Sequence, residues 1–265
     1  MCIRDRYTII SSHGNWSYGI YGDDIHTDSQ ISLSYDGKYV PGNWKTSLDD
    51  GNWTFVNINT INYFFDQVLP KYEANAITGN TANIQRYIGE MYFFRAYQYF
   101  SHLKTYGDYP IIEHALADNE PELVEASKRA PRNEVARFIL SDLDKAAELL
   151  PSVSSVEAGY VGTETAMAFK ARVALFEGTW QKFRGNTERA TALLDQAAKA
   201  AKSVIDSKQF SIFKPAELGT EAYKYLFILE DVKSNPAGIT KSGNTEYIWS
   251  RRYNSCLLYT SPSPR

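Results

Sequence analysis

The stretch that decides the fold is "FFRAYQYFSHLKTYGDYPII", residues 93–112. Its aromatic side chains form either part of the protein interior or a platform exposed to a ligand. Polar residues recur at helical spacing along one stripe, and apolar residues cover most of the remaining circumference. A helix that is apolar over most of its surface is buried, with tyrosine hydroxyls that reach polar partners at its margins. We therefore predict a core helix. The aromatic residues are Phe93, Phe94, Tyr97, Tyr99 and Phe100, and the polar residues are Arg95, Gln98, Ser101, His102 and Thr105.

This helix is predicted over residues 81–106 and ends at Gly107, a residue suited to a left-handed backbone conformation. Tyr109 precedes Pro110 and is therefore expected to be extended. Within the helix, Arg95 is predicted to be a paired structural arginine rather than a catalytic group. The Gly107–Pro110 turn is interpreted as a helix stop and not as a phosphate cradle.

Four further helices are predicted at residues 53–68, 133–150, 163–180 and 187–207. Asn52 is the expected N-cap of the first of these helices, and Pro70 is its expected end. Residues 113–130 are predicted to form a loop rich in glutamate and proline. Small side chains recur in the last two helices and favour close helix pairs, as in tetratricopeptide hairpins. The predicted fold is mostly α, with tetratricopeptide-like helical hairpins, long irregular loops and little β structure beyond a possible short strand near residues 245–249. The small residues are Ala166, Ala168, Ala171, Ala174, Ala190, Ala197 and Ala201, and the predicted buried face of 133–150 is Val135, Phe138, Ile139, Leu143, Ala146, Ala147 and Leu150.

The two ends of the chain are predicted to be scars of DNA sequencing rather than protein sequence. Residues 256–261 back-translate into tgt ctc tta tac aca tct, the transposon end used to fragment DNA, and residues 262–265 continue into its adapter. Residues 1–6 back-translate into the opposite strand of the same element. We therefore expect residues 7–255 to be a fragment of a longer protein.

Composition excludes several classes of function for this fragment. Both cysteines, Cys2 and Cys256, fall in the terminal segments, so disulfides and cysteine-based metal sites are not expected between them. The whole chain has a formal net charge of −3, which becomes −5 without the three arginines and one aspartate of those segments. No basic block remains, which argues against a nucleic-acid partner. No apolar run is long enough to span a bilayer.

Several motifs in a fixed order resemble the SusD/RagB family of outer-membrane glycan-binding lipoproteins. They are Gly89-Glu90, Arg95-Ala96, Tyr99-Phe100 and Tyr106-Gly107-Asp108-Tyr109-Pro110. Segments 132–151, 163–180 and 244–249 are similar to later family segments, and Phe55, Ile58 and Asn62 to an earlier helix. Tyr109 replaces a usual valine, and residues 176–178 differ from the common pattern. The resemblance covers most of residues 15–250.

The resemblance implies one SusD-like domain over residues 7–255, truncated, with the family's C-terminal part beginning near residues 210–255. It implies a surface-exposed lipoprotein of the cell outer membrane, held by an N-terminal lipid anchor absent from this fragment. Such a protein binds an oligosaccharide or polysaccharide without catalysis and delivers it to a TonB-dependent SusC-like transporter. It implies no cofactor. Peptide ligands stay open, since some relatives serve peptide import.

The loop at residues 11–51 is the predicted glycan site. Its aromatic residues lie among glycine, asparagine and aspartate, with no periodicity that would bury them. Exposed aromatic faces can stack on sugar rings while neighbouring amides bond the hydroxyls, and loops commonly carry such sites. The resemblance also implies stacking tryptophans in this region. The candidate ligand-binding residues are Trp16, Tyr18, Tyr21, Asn43 and Trp44.

Catalytic and metal-binding residues are not predicted. Asp23-Asp24 and Asp49-Asp50 are adjacent pairs, which carry no information on carboxylate separation. The four histidines, His13, His26, His102 and His114, lack metal-ligand spacing. Two alternatives remain open: an α-helical glycosidase or lyase, and a tetratricopeptide-like adaptor that binds protein and no sugar.

Overall fold

The computed structural model describes residues 53–157, 159–225, 238 and 244–249. The chain divides into two compact units, Met1–Asn57 and Ile58–Arg265. Of the first unit, only residues 53–57 belong to the described part. There the rings of Trp53 and Phe55 meet edge to face with centroids 6.0 Å apart.

The described part is mostly helical, as predicted. Along the described ranges, seven α-helices follow one another with two short 3-10 helices, Val153–Ser155 and Ala216–Glu221. Within the described ranges there is no β-strand, and the backbones of Tyr109 and Ala130 form a single isolated antiparallel bridge. The α-helices are α1 (Val56–Glu73), α2 (Thr81–Tyr106), α3 (Glu120–Ala126), α4 (Arg132–Leu149), α5 (Thr163–Phe183), α6 (Thr187–Asp206) and α7 (Ala222–Tyr225).

The first helix differs from its prediction at both ends. It begins at Val56, so Asn52, which lies outside the described residues, is not its N-cap. It continues through Pro70 to Glu73, because proline removes a donor for one bond only and the following turn still closes: Ala74 donates to the Pro70 carbonyl at 3.1 Å. The chain leaves the helix at Asn75, whose φ of 51° is one that asparagine tolerates.

Helix α3 lies in the segment that the sequence analysis assigned to a loop. Asn119 caps it, because its side-chain oxygen accepts from the backbone N–H of Glu122 at 3.0 Å. The Glu122 carboxylate in turn accepts from the Asn119 amide at 2.7 Å. This reciprocal cap, followed by Pro121 in the first turn, is a helix-start signal that the acidic, proline-rich composition obscured.

The long helices pack in sequence order as tetratricopeptide-like pairs: α2 against α4, α4 against α5, and α5 against α6. Close approach of α5 and α6 depends on a small residue, since a Cβ on Gly178 would lie 3.0 Å from Leu194 Cγ. Ala190, Ala197 and Ala200 are buried on α6. Of the predicted small residues, Ala201 is exposed, and its neighbour Ala200 is buried instead, because one helical position turns a side chain by about 100°.

The buried face of α4 follows the prediction closely. Phe138 and Ala147 are half-buried, and the other five predicted residues are buried. The strand considered at residues 245–249 is absent: that segment contains a turn, and Thr245 is held by a hydrogen bond from its hydroxyl to the Ser211 carbonyl at 3.0 Å. Of the helices described, none combines the length and apolar character that a membrane span requires.

Candidate functional site

The predicted ligand residues Trp16, Tyr18, Tyr21, Asn43 and Trp44 lie outside the described residues. The same holds for the aspartate pairs at 23–24 and 49–50 and for His13 and His26. Their assignment to a glycan site therefore stays a prediction. The described residues reveal the helical scaffold and the surfaces that it offers.

The aromatic residues of α2 are interior residues, as predicted. Phe93, Phe94 and Tyr99 are almost completely buried, and Phe100 is 5% exposed. Tyr97 is the exception: it is half-buried and stacks on Phe169 with centroids 5.5 Å apart. Since a stacking platform for sugars must be exposed, this helix does not provide one.

Arg95 is the polar centre of this interior, which confirms that it is a paired arginine. Its Nε donates to Asp142 Oδ2 at 2.7 Å and its Nη2 to Asp142 Oδ1 at 3.0 Å. Its Nη1 donates to Asn62 Oδ1 at 3.0 Å, and the rings of Phe65 and Phe138 lie 4.6 and 4.8 Å from the guanidinium carbon. Every face of this side chain is occupied by protein, so Arg95 is unavailable to a ligand.

Burial raises the pKa of Asp142, and the hydrogen bonds and charge of Arg95 oppose that rise. Burial also acts to lower the pKa of Arg95, but the hydrogen bonds to Asp142 together with the charge of that carboxylate outweigh this and raise the pKa. The arginine therefore stays charged. Its role is to link α1, α2 and α4 through one buried network.

The segment that leaves α2 is anchored to the same network. Asn62 donates its side-chain amide to the carbonyl of Ile112 at 2.7 Å. The Tyr99 hydroxyl accepts from the Ile112 N–H at 2.8 Å, and burial raises the pKa of this hydroxyl far above its usual range. Tyr109 is fully buried at the start of the segment. Gly107 has a φ of 76°, which agrees with the predicted positive-φ helix end.

A second set of contacts holds residues 114–116 at the surface of α1. Asp66 accepts from the backbone N–H of Ala115 at 2.8 Å and lies 2.7 Å from the Nδ1 of His114. Although burial acts to raise it, these hydrogen bonds hold the pKa of Asp66 below its usual value. Asn59 accepts from the N–H of Leu116 at 3.1 Å. None of these anchors was predicted from the sequence.

The two histidines in the described part occupy structural positions. His102 is buried and stacks on Tyr109 with ring centroids 4.4 Å apart. Burial lowers the pKa of His102. His114 is exposed and pairs with Asp66. No group of three or more metal-ligating side chains occurs among the residues described.

Trp180 is a packing residue near the end of α5. The guanidinium carbons of Arg184 and Arg132 lie 3.3 and 3.9 Å from its ring centroid. Arg132 also donates from Nε to Glu177 Oε2 at 2.8 Å. Both π contacts occupy the indole, so Trp180 is not a free stacking surface.

Two clefts on the helical scaffold were not predicted. One, of about 350 Å³, lies between α4 and α6 and includes Arg137 and Arg189. The other, of about 670 Å³, is formed by the start of α2, the end of α4 and the segment at residues 151–160. Their walls come from residues more than sixty positions apart in places, such as Arg86 and Tyr160, so local sequence patterns carry no signal for them.

The sequence profile of the family described as SusD-like, starch-binding associating with outer membrane, matches residues 11–175. A curated relative, SusD-like protein P2 of Formosa agariphila, is 32% identical over 109 residues, which cover 41% of this chain and 21% of the relative. The chain thus spans about a fifth of the length of that relative.

Solved structures with the same helical fold include a SusD-like protein of Bacteroides fragilis. It aligns with a TM-score of 0.62 at 24% identity and covers 97% of this chain and 44% of that protein. A SusD homolog of Bacteroides thetaiotaomicron aligns with a TM-score of 0.52 at 18% identity, over 64% of this chain and 32% of the homolog. At these identities the likeness concerns the fold alone.

Proposed function

Because this chain belongs to the SusD-like family, described as starch-binding and associating with the outer membrane, we propose that it binds glycans at the cell surface without catalysis. The observation that carries this proposal is the family match over residues 11–175, which includes both the predicted ligand loop and the scaffold from α1 into α5. The name of the Formosa relative, a SusD-like protein, agrees with it.

Binding takes place on the loop at residues 11–51. Trp16, Tyr18, Tyr21 and Trp44 stack on sugar rings, and Asn43 bonds hydroxyl groups beside them. Affinity results from several weak contacts, since a ring that stacks on a sugar buries only part of its surface. The helical pairs supply a stiff scaffold: the buried Arg95–Asp142 pair joins α2 to α4 with bonds of 2.7 and 3.0 Å.

The bound oligosaccharide is then delivered to a TonB-dependent transporter of the SusC type, which this protein covers at the outer membrane. A lipid anchor N-terminal to the fragment holds it at the surface. The family's description as associating with the outer membrane supports this placement. No cofactor takes part.

Affinity chromatography on immobilised starch, mannan, xylan and β-glucan tests the proposal with the full chain. We expect retention on at least one of these glycans and no release of reducing ends from it. Release of reducing ends would favour the glycosidase or lyase alternative. If the chain is retained on none of these glycans and binds a groove of another protein instead, the tetratricopeptide-like adaptor is favoured.

The placement on the loop is tested by the double variant Trp16→Ala/Trp44→Ala. We expect it to lose most of its retention while its circular dichroism spectrum is unchanged, because an exposed indole contributes through its face and little to folding. Trp16→Phe/Trp44→Phe is the matched control and should keep part of the retention, since a smaller flat ring still stacks. Unchanged retention in the Ala variant would move the site away from these residues.

A further inference from the structure

We propose that the cleft formed by the start of α2, the end of α4 and the segment at residues 151–160, called here the α2–α4 cleft, is a second saccharide subsite selective for neutral sugars. The proposal rests on the proposed function, glycan binding, and adds to it a location on the helical scaffold and a class of ligand. The cleft has a volume of about 670 Å³. This is within the range of about 300–1,000 Å³ typical of small-molecule sites.

The polar groups of the α2–α4 cleft complement a ligand that both donates and accepts hydrogen bonds. Arg86 can only donate, the carboxylates of Glu148 and Glu157 can only accept, and the Asn83 amide does both. A sugar hydroxyl is a donor and an acceptor at once, so it satisfies all of these groups. One guanidinium faces two carboxylates here, so the lining carries a net negative charge that disfavours an anionic ligand. Among saccharides, the charges therefore select neutral chains over anionic ones.

Three of these side chains are available to a ligand. Among the residues described, Asn83, Glu148 and Glu157 make no side-chain hydrogen bond and no ion pair, and all three are exposed. Arg86 is held instead: its guanidinium carbon lies 4.9 Å from the centroid of the Tyr87 ring and 5.2 Å from that of Tyr160. Its side chain is only 19% exposed, with the carboxylate of Glu90 3.8 Å from Nε. A fixed donor beside free acceptors suits recognition of hydroxyl pairs.

Tyr160 supplies the aromatic ring that a saccharide subsite needs. It is half-buried and lines the α2–α4 cleft beside Arg86. Arg86 lies against one face of the ring, and the exposed remainder of this half-buried ring offers an apolar surface to the C–H groups of a sugar. Leu149 and Pro151 extend the apolar part of the wall.

The described residues of the segment that carries Glu157 and Tyr160 are held by several hydrogen bonds. Ser152 Oγ and the Val153 N–H each donate to the Glu164 carboxylate at 2.8 Å. Thr163 Oγ1 donates to the Leu150 carbonyl at 2.5 Å, and Trp249 Nε1 donates to the Gly159 carbonyl at 3.0 Å. Such bracing reduces the entropy lost on binding, because the walls of the cleft are already ordered.

Isothermal titration calorimetry on the full chain tests this site with maltoheptaose, cellohexaose, mannohexaose and xylohexaose, and with an oligoglucuronate as the charged comparison. The loop contribution is first removed by Trp16→Ala/Trp44→Ala. In this background we expect residual binding of at least one neutral oligosaccharide and none of the oligoglucuronate. Adding Tyr160→Ala should weaken the residual binding by about tenfold or more, the factor that corresponds to about 1.4 kcal/mol.

The matched controls are Tyr160→Phe, which keeps the ring and should keep the residual binding, and Glu188→Gln, an exposed carboxylate on α6 away from the cleft, which should change nothing. Glu148→Gln/Glu157→Gln should weaken the binding of neutral oligosaccharides and allow the oligoglucuronate to bind. This charge effect separates ligand contact from a general loss of structure.

Each outcome decides between the site and the proposed function. Loss of all binding in the Trp16→Ala/Trp44→Ala background, with normal binding by the unaltered chain, would overturn the second subsite and leave the proposed function standing. No binding of any glycan by the unaltered chain would overturn both. Binding that depends on Tyr160 but not on Trp16 and Trp44 would support the subsite and overturn the placement on the loop.

Discussion

Arg95 of α2 and Asp142 of α4 meet in the interior through two hydrogen bonds, Nε to Oδ2 at 2.7 Å and Nη2 to Oδ1 at 3.0 Å. The bidentate geometry fixes both the distance and the rotation of one helix relative to the other. Asn62 extends the pair to α1 by accepting from Nη1 and donating to the Ile112 carbonyl. One charged pair thus orients three helices and the segment that follows α2.

Asp142→Ala should lower the free energy of unfolding by about 3–5 kcal/mol, because it leaves the buried guanidinium of Arg95 without its counter-ion. The matched control is Asp144→Ala on the same helix. Asp144 is exposed and pairs with Lys170, so its loss should cost less than about 1 kcal/mol. Urea unfolding followed by circular dichroism compares the two. Equal losses of unfolding free energy in the two variants would contradict the view that the buried Arg95–Asp142 pair matters more to stability than an exposed pair.

Phe100→Ala should lower the free energy of unfolding by about 3–5 kcal/mol, as expected for a large-to-small change in a core. Phe100 is 5% exposed and meets Phe169 and Phe176 edge to face, each at 5.5 Å. Tyr97→Ala should cost less, because Tyr97 is only half-buried. A Phe100→Ala variant with full stability but without glycan binding would make α2 a ligand platform, contrary to our interpretation.

Stability should fall as the pH drops below about 6.5, the ordinary value for histidine, through the effect of His102. Burial lowers the pKa of His102 in the folded state. As the pH falls, the histidine therefore takes up a proton in the unfolded chain first. The stability that neutral His102 contributes is fully present above the unfolded pKa and is lost as the pH falls from that value to the lower folded pKa. His102→Phe keeps a ring against Tyr109 and should remove this component. Parallel pH profiles of the two proteins between pH 7 and 5 would contradict the assignment.

Gly162→Ala should destabilise the protein by about 1–3 kcal/mol through overpacking. A Cβ at this position would lie 2.7 Å from the backbone nitrogen of Val153, which cannot move aside without disturbing its bond to Glu164. Gly178→Ala is the comparison: its Cβ would meet the Leu194 side chain at 3.0 Å, and a side chain can adjust. Thermal unfolding should show a larger loss for Gly162→Ala than for Gly178→Ala.

Deletion of residues 1–6 and 256–265 should leave the melting temperature unchanged, if these segments derive from adapter DNA as their back-translation predicts. Such residues were never selected with the fold and would contribute no packing to it. Differential scanning calorimetry of the full and the trimmed chain measures this directly. A loss of several degrees would contradict the adapter origin.

The sequence by itself determined the helical class, four of the long helices to within a few residues, and the interior position of the α2 aromatics. The physical reason is local: the period of apolar residues along a helix specifies which face is buried, whatever that face packs against. It also showed that Arg95 needs a partner, since a charge on an apolar helix cannot be buried alone. Continuation of α1 through Pro70 and the cap of α3 at Asn119 were local features that composition concealed.

Only the tertiary structure decided which residues meet. The partner of Arg95 is Asp142, forty-seven positions away, and the ring beside Arg86 is that of Tyr160. Neither pairing follows from sequence spacing, because it depends on how α2 and α4 pack and on where the segment after α4 returns to the start of α2. For the same reason the α2–α4 cleft has no sequence motif. Its walls are brought together by helix packing, so the residues that line it can be identified only once that packing is known.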